Sequence, residues 1–289
     1  MSPRQRFKQQ LASGRTLWIP GAYDVLSARL IEEAGFDAVL VSGFGVAASL
    51  LGMPDTELYT MTENLGVIRA TCAAVGIPVM ADGDTGYGNA VNVMRTVREF
   101  EATGAASITI EDQLSPKKCP AVSDATQIIP LDEAVAKIRA AVAARRDPDF
   151  VIIARTDARD PAVAIERSRA FVAAGADAIK PINNCFNTLE GLRELRAACG
   201  RPLAISVLGL IEKNLSTADI ESLGGIATFP LTPLLTAAQA LRANLAAMKA
   251  TKRPSGLPVV TMPESEFKSL IGFTRIEQLE REFLPPAAA

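Results

Sequence analysis

The chain has 289 residues, 48% of them hydrophobic and 21% charged, with a formal net charge of -2. That balance fits one large α/β barrel or two ordinary domains, and without a Lys/Arg block it excludes a nucleic-acid partner. No apolar stretch approaches the ~20 residues of a membrane span, and the polar residues 1–10 lead into no secretory signal, so a cytoplasmic protein is expected.

In chain order, residues 4–13 read as a short helix ahead of the main domain. About eight apolar strands follow, near residues 17–20, 38–42, 78–82, 107–111, 150–155, 178–182, 203–207 and 226–229. Helical patterns separate most neighbours, as at 132–145, 162–174 and 189–198. Gly35, Gly104, Gly175 and Gly224 each stand at a helix-to-strand join, where a helix end favours positive φ. Continuous apolar strands alternating with helices argue for a parallel sheet buried on both faces. Eight such units predict a (β/α)8 TIM barrel with an N-terminal helix, occupying residues 1–250. Residues 234–250 form a long Ala-rich helix. After it, residues 251–289 form a C-terminal helical extension with apolar Phe267, Leu270, Ile276, Leu279 and Phe283. Such an extension either covers the barrel or packs on a neighbouring subunit; the second is the expected arrangement.

In a barrel of this kind the chemistry lies at the C-terminal ends of the strands. Those ends carry Ser42-Gly43, Asp82 and Asp84, Glu111-Asp112, and Arg155 with Asp157. The third strand runs into Asp82-Gly83-Asp84-Thr85-Gly86-Tyr87-Gly88, two carboxylates followed by glycines that let backbone approach a ligand. Carboxylates facing one opening repel unless a cation neutralises them, and hard oxygen ligands suit Mg²⁺ or Mn²⁺. Read locally, the same stretch is also a strand end with two solvated Asp. Arg155 offers a planar fork for a substrate carboxylate, or a salt bridge to Glu111 or Asp82.

The absence of histidine excludes Ser-His and Cys-His nucleophile pairs, His-ligated zinc and an imidazole base. Four cysteines without CxxC spacing read as reduced thiols. Cys72, Cys185 and Cys199 sit in or beside apolar elements. Cys119 lies in the long connection 113–130 beside Lys117 and Lys118, which would stabilise its thiolate. It is therefore either an acid–base residue on a lid or a surface-loop thiol.

These residues resemble a known family. Ser42-Gly43, Leu51-Gly52-Met53-Pro54-Asp55, the Asp82–Gly88 stretch with Asn89, Glu111-Asp112-Gln113, Pro116-Lys117-Lys118-Cys119 and Ala154-Arg155-Thr156-Asp157-Ala158 are similar to the isocitrate lyase/phosphoenolpyruvate mutase superfamily. The likeness is strongest to its short members, such as methylisocitrate lyases. It implies a (β/α)8 barrel, Mg²⁺, and homotetramers that exchange a C-terminal helix. It also implies chemistry on 2-oxo or 2-hydroxy carboxylates through a metal-bound enolate. Asp82 and Asp84 match the metal carboxylates, Asp82 most directly, while Asp55 and Glu111 match acids holding metal-bound water. Ser42, Gly43 and Phe44 match the loop that binds a substrate carboxylate, and Arg155 the arginine that clamps it. Lys117 matches a gating-loop lysine, and Cys119 the general acid that protonates the departing enolate.

The chain departs from the lyase pattern at several points. Pro120-Ala121 follows Cys119 where lyases continue Gly-His, and Ile182 or Asn183 replaces the glutamate after the sixth strand. Ser206 to Gly209 stands where lyases carry an Asn-Ile-x-Glu, and Leu235 lies nearest to where methylisocitrate lyases use an arginine. Tyr87, Asn183, Asn184 and Asn214 are candidate replacements for the missing polar groups. The expected activity is Mg²⁺-dependent carbon–carbon cleavage of a small 2-hydroxy or 2-methylmalate-type di-acid. Oxaloacetate decarboxylation is the alternative, ahead of phosphonate P–C chemistry or non-catalytic binding of a 2-oxo acid.

Overall fold

The computed structural model describes residues 1–118 and 127–285. Helix α1 (Pro3–Ala12) leads into β1 (Thr16–Ala22), α2 (Val25–Glu33), β2 (Val39–Val41), α3 (Gly43–Val46) and a π turn (Ala47–Leu51). Then come α4 (Met61–Ala74), β3 (Val79–Asp82), α5 (Ala90–Ala102), β4 (Ser107–Glu111), α6 (Leu131–Ala144) and β5 (Val151–Thr156). The second half runs α7 (Pro161–Ala173), β6 (Ala178–Pro181), α8 (Leu189–Cys199), β7 (Leu203–Ser206), α9 (Leu210–Asn214), α10 (Thr217–Leu223) and β8 (Gly225–Phe229). Helices α11 (Thr232–Thr251), α12 (Glu264–Ile271) and α13 (Phe273–Phe283) close the chain. The eight strands pair in sequence order, all parallel, and β8 returns to β1 to close the barrel. Every predicted strand is present, with no end shifted by more than two residues.

Local chemistry sets the joins. Capping boxes start α1 (Ser2 with Gln5), α4 (Thr60 with Glu63) and α5 (Asn89 with Asn92). The glycines expected after helices adopt positive φ: 84° at Gly35, 96° at Gly104, 103° at Gly175 and 62° at Gly224.

The strands bury both faces in strict alternation. Leu40, Met80, Val151, Ile153, Ala178, Ala204 and Ile226 fill the barrel interior, while Val41, Ala81, Ile110, Ile152, Ile179 and Ile205 pack beneath the helices. This alternation sets which residue points inward at each strand's C-terminal end. Continuing the interior phase by two places reaches Ser42 after Leu40, Asp82 after Met80 and Arg155 after Ile153. On β6 it reaches Lys180 after Ala178, and on β7 Ser206 after Ala204. At the opposite end, Phe7 of α1 is fully buried in the interior cluster with Ala38, Ala106 and Val151, whose strands begin there.

The chain divides into two compact units, Met1–Leu234 and Leu235–Ala289, so the division falls in the first turn of α11. The second unit holds the rest of α11 with α12 and α13. Its Phe267, Ile271, Phe273, Ile276 and Phe283 are exposed.

Candidate active site

The C-terminal ends of the strands surround a cavity of about 180 Å³. Its lining includes Ser42, Phe44, Asp55, Asp82, Arg155, Lys180, Ile182, Asn183, Asn184, Ser206, Leu208 and Leu231. The register explains the gathering: Glu111 on β4 pairs with Arg155 on β5, and Arg155 with Lys180 on β6. A larger groove on the outer surface, lined by residues such as Glu166, Arg169 and Glu194, lies apart from these groups.

Asp82 is the last residue of β3, and Asp84 lies beyond the strand at φ 48°. The two carboxylates therefore meet through a turn and not as alternate residues of one strand. The Gly43 amide donates to Asp82 Oδ2 at 3.2 Å, and the Asp84 amide to Asp82 Oδ1 at 3.3 Å. Asp84 Oδ2 accepts from Tyr59 Oη at 2.5 Å and Tyr87 Oη at 2.9 Å. Asn64 Nδ2 ties the turn together, donating to Tyr87 Oη and the Asp82 carbonyl, each at 2.8 Å. A Cβ on Gly43 would stand 2.6 Å from Tyr59 Oη and 3.1 Å from both carboxylates, so only glycine fits there. Asp84, Tyr87 and Glu57 all hold positive φ without being glycine, a backbone cost concentrated at this rim.

Lys117 is not a solvated loop residue. It is buried, with Nζ 2.6 Å from Asp84 Oδ1 and 2.9 Å from Asp55 Oδ1. Burial works against its charge, but Asp84, Glu111, Asp55 and Asp82 outweigh it and hold the ammonium well above its usual range. Its positive charge is thus engaged by carboxylates. Glu57 fixes the loop that carries it: Oε2 accepts from the Lys117 amide at 2.9 Å and Ser115 Oγ at 2.7 Å, and Oε1 from Thr85 Oγ1 at 2.5 Å. Cys119 lies outside the described residues.

Arg155 is both salt-bridged and available. Nη1 meets Glu111 Oε2 at 2.8 Å and Nη2 meets Asp157 Oδ1 at 2.7 Å, while its buried Nε has no hydrogen-bond partner among the described residues. Burial pushes Glu111 up to about 8, despite the opposing charges of Arg155 and Lys117. Burial also acts to raise Asp82, but Lys117, Lys180 and Arg155 hold it below the usual carboxylate range. Asp112, the neighbour of Glu111, belongs elsewhere: its carboxylate accepts from Arg167 Nε at 2.6 Å and the Asp157 amide at 2.8 Å.

The donor set fits a hard divalent cation. Five carboxyl groups (Asp55, Asp82, Asp84, Glu111, Asp157) face three cations (Lys117, Arg155, Lys180); burial keeps Glu111 protonated below about 8 and raises Asp84 as well, and a bound cation would draw both back to carboxylates. Glu111 Oε1 and Asp157 Oδ2 are buried without hydrogen-bond partners among the described residues. In that same set no three acidic or Cys side chains converge as a complete cage. Mg²⁺ favours such a site, because it keeps several waters and takes only one or two carboxylates directly.

Sequence reasoning missed Glu57, Tyr59 and Lys180. The Lys180 signal was available, since inward Ala178 places it on the same face two residues on. Of the proposed polar replacements, Asn183 and Asn184 line the cavity and Tyr87 bonds to Asp84, whereas Asn214 is exposed and donates to the Asn187 carbonyl.

A profile of the family described as Phosphoenolpyruvate phosphomutase matches residues 7–253. The chain is 39% identical over 291 residues to 2,3-dimethylmalate lyase of Eubacterium barkeri, covering 98% of this chain and 99% of that protein. It is 39% identical over 208 residues to oxaloacetate decarboxylase of Chromohalobacter salexigens, 71% of each chain. The crystal structure of phosphonopyruvate hydrolase complexed with oxalate and Mg²⁺ matches with a TM-score of 0.89 at 32% identity, covering 99% of this chain and 100% of that one. In sequence along nearly its whole length, and in fold, the chain belongs to the isocitrate lyase/phosphoenolpyruvate mutase superfamily of enzymes.

Proposed function

We propose that the protein is a Mg²⁺-dependent lyase that cleaves a carbon–carbon bond in a small 2-hydroxy di-acid of the 2-methylmalate type. The observation that carries this reading is the excess of buried carboxyl groups around Asp82 beside an inward Arg155, in a chain so similar to 2,3-dimethylmalate lyase. Asp82 would hold the cation most directly, with Asp84, Asp55 and Glu111 acting on it and its waters; Mn²⁺ suits the same oxygens. The bound cation supplies neutralisation of the acids and electrostatic stabilisation of a 2-oxo acid.

The chain's own groups do the rest. Arg155 holds the carboxylate beside the carbinol carbon through its unpartnered Nε–H, and the Ser42–Gly43–Phe44 turn covers it. A rim carboxylate takes the hydroxyl proton as the carbinol becomes a ketone. The adjacent C–C bond breaks, its electron pair stays on the departing carbon, and that carbon takes a proton. Cys119 is the proposed donor of that proton, and Lys117 closes the site over it. A cavity of about 180 Å³ is below the ~300–1,000 Å³ of drug-sized sites and suits a small di-acid.

The exposed apolar residues of α12 and α13 support a homotetramer built by helix exchange. Light scattering should then give the mass of four chains. The activity test is a panel of malate, 2-methylmalate, methylisocitrate, oxaloacetate and phosphonopyruvate with Mg²⁺, followed by NMR. A 2-oxo acid and a second organic acid in equal amounts are expected. CO₂ as the sole co-product would give the decarboxylase reading, which similarity to an oxaloacetate decarboxylase also favours.

A further inference from the structure

Lys180 has no counterpart among the groups used so far. It is 9% exposed, points inward on β6 and lines the cavity. Its register neighbour across β5–β6 is another cation, Arg155. Arg155 is held by Glu111 and Asp157, but among the described residues Lys180 has no hydrogen-bond acceptor and no carboxylate within 4.0 Å. A buried ammonium beside a like charge is costly unless an anion reaches it. Burial and the Arg155 charge pull Lys180 below its usual range, and Asp82, Glu111 and Asp157 offset this only in part.

The rest of the wall near this strand is apolar or neutral: Ile182, Leu208 and Leu231, with Ser206 and Asn184. Lys180 thus has the Arg155 cation on one flank and apolar or neutral side chains on the other, surroundings that suit one carboxylate carrying a short alkyl group.

We infer that Lys180 binds the second carboxylate of the di-acid, the one retained by the departing fragment, and so sets specificity for small di-acids over tricarboxylates. This rests on the lyase reading of the site. Negative charge develops on the departing carbon next to that carboxylate, so the ammonium also favours cleavage as it proceeds. An ion-paired carboxylate resists leaving as CO₂, which separates this chemistry from decarboxylation.

The test is Mg²⁺-dependent binding, measured by calorimetry, of 2-methylmalate, its C4 monomethyl ester and oxalate. Lys180→Met should weaken 2-methylmalate about 10- to 100-fold, the range for one charged hydrogen bond, and leave oxalate within about twofold. Lys180→Arg should recover part of the loss. The ester, neutral at the distal carboxylate, should bind the unaltered protein about as weakly as the di-acid binds Lys180→Met.

Equal weakening of oxalate and 2-methylmalate would overturn the inference, placing Lys180 at the 2-oxo-acid end or in a structural role. So would ester binding as tight as di-acid binding. That comparison needs no variant and stands even if Lys180→Met does not fold. Absence of 2-methylmalate binding to the Mg²⁺-loaded protein would overturn it too. A protein that binds as expected yet cleaves no di-acid would instead sink the lyase reading and leave the Lys180 subsite in place.

Discussion

The two ends of the barrel solve opposite problems with similar residues. At the N-terminal end, Arg4 of α1 is fully engaged: Nε donates to the Ala105 carbonyl at 2.9 Å, Nη2 to the Glu101 carbonyl at 2.7 Å, and Nη1 to Asp147 Oδ2 at 2.7 Å. Its guanidinium also lies over the Phe150 ring, 5.3 Å from the centroid, and Phe7 plugs the interior. At the C-terminal end, Arg155 keeps a free buried Nε, Lys180 lacks a partner among the described residues, and carboxylate oxygens of Glu111 and Asp157 are left unbonded. Saturated polar groups stabilise a fold, whereas unsaturated buried ones wait for a ligand. Natural sequences break local rules of satisfaction at functional sites, and here the buried unbonded carboxylate oxygens all lie at the C-terminal end, although Arg6 Nε and Gln10 Oε1 of α1 and Ser107 Oγ at the start of β4 are also buried without a hydrogen-bond partner among the described residues.

The comparison is open to direct attack, beginning with the largest effect. Asp82→Asn should cut kcat/KM by about 10³-fold or more, as expected when a charge-organising group at the reacting centre is removed, while Tm stays the same or rises. A large fall in Tm instead would mean that Asp82 holds the fold together. Phe7→Ala at the other end should cost about 3–5 kcal/mol in denaturant unfolding, yet leave kcat/KM unchanged for the folded enzyme. Loss of activity without loss of stability there would erase the distinction between the two ends.

A smaller effect is expected from Glu57, which holds the Lys117 loop to the Thr85 turn. Glu57→Gln turns one acceptor into a donor facing other donors. It should lower kcat/KM about tenfold with little change in Tm. The last effect is one of pH. Glu111 sits at about 8 in the fold, above the ~4.3 of an unfolded chain. The folded state therefore holds that proton more tightly, so its contribution is complete below the unfolded value and is lost as pH rises toward 8. In chelator-treated protein, Tm should fall between about pH 5 and 8, and Glu111→Gln should flatten that fall. An unaltered slope in the variant would remove Glu111 as its source.

Much of this was legible in the sequence because it depends on local rules. Strand order and helix ends followed from apolar runs and from glycines at positions that need φ > 0. The Asp82–Gly88 stretch, Glu111 and Arg155 could be placed because they terminate clear strands. Three features were not legible. Asp84 reaches the site through a turn at positive φ, which strand alternation does not describe. Glu57 and Tyr59 come from the connection before α4, far in sequence from the residues they bond. Lys117, matched to a gating-loop lysine by resemblance but locally only a loop cation beside Cys119, is drawn inward by carboxylates from separate segments, a long-range effect with no local signature. Lys180 obeys the alternation rule, but it falls inside the expected strand 178–182 and not at its end, where the chemistry is expected.

The central claim is that the acids at the barrel mouth hold a divalent cation on which binding of a 2-oxo-acid-like dianion depends. Calorimetric titration of oxalate into the protein, with Mg²⁺ and then with excess chelator, tests it most directly. Saturable binding with Mg²⁺, lost in chelator and lost in Asp82→Asn, is the expected result. Oxalate binding of equal affinity under both conditions would contradict the account.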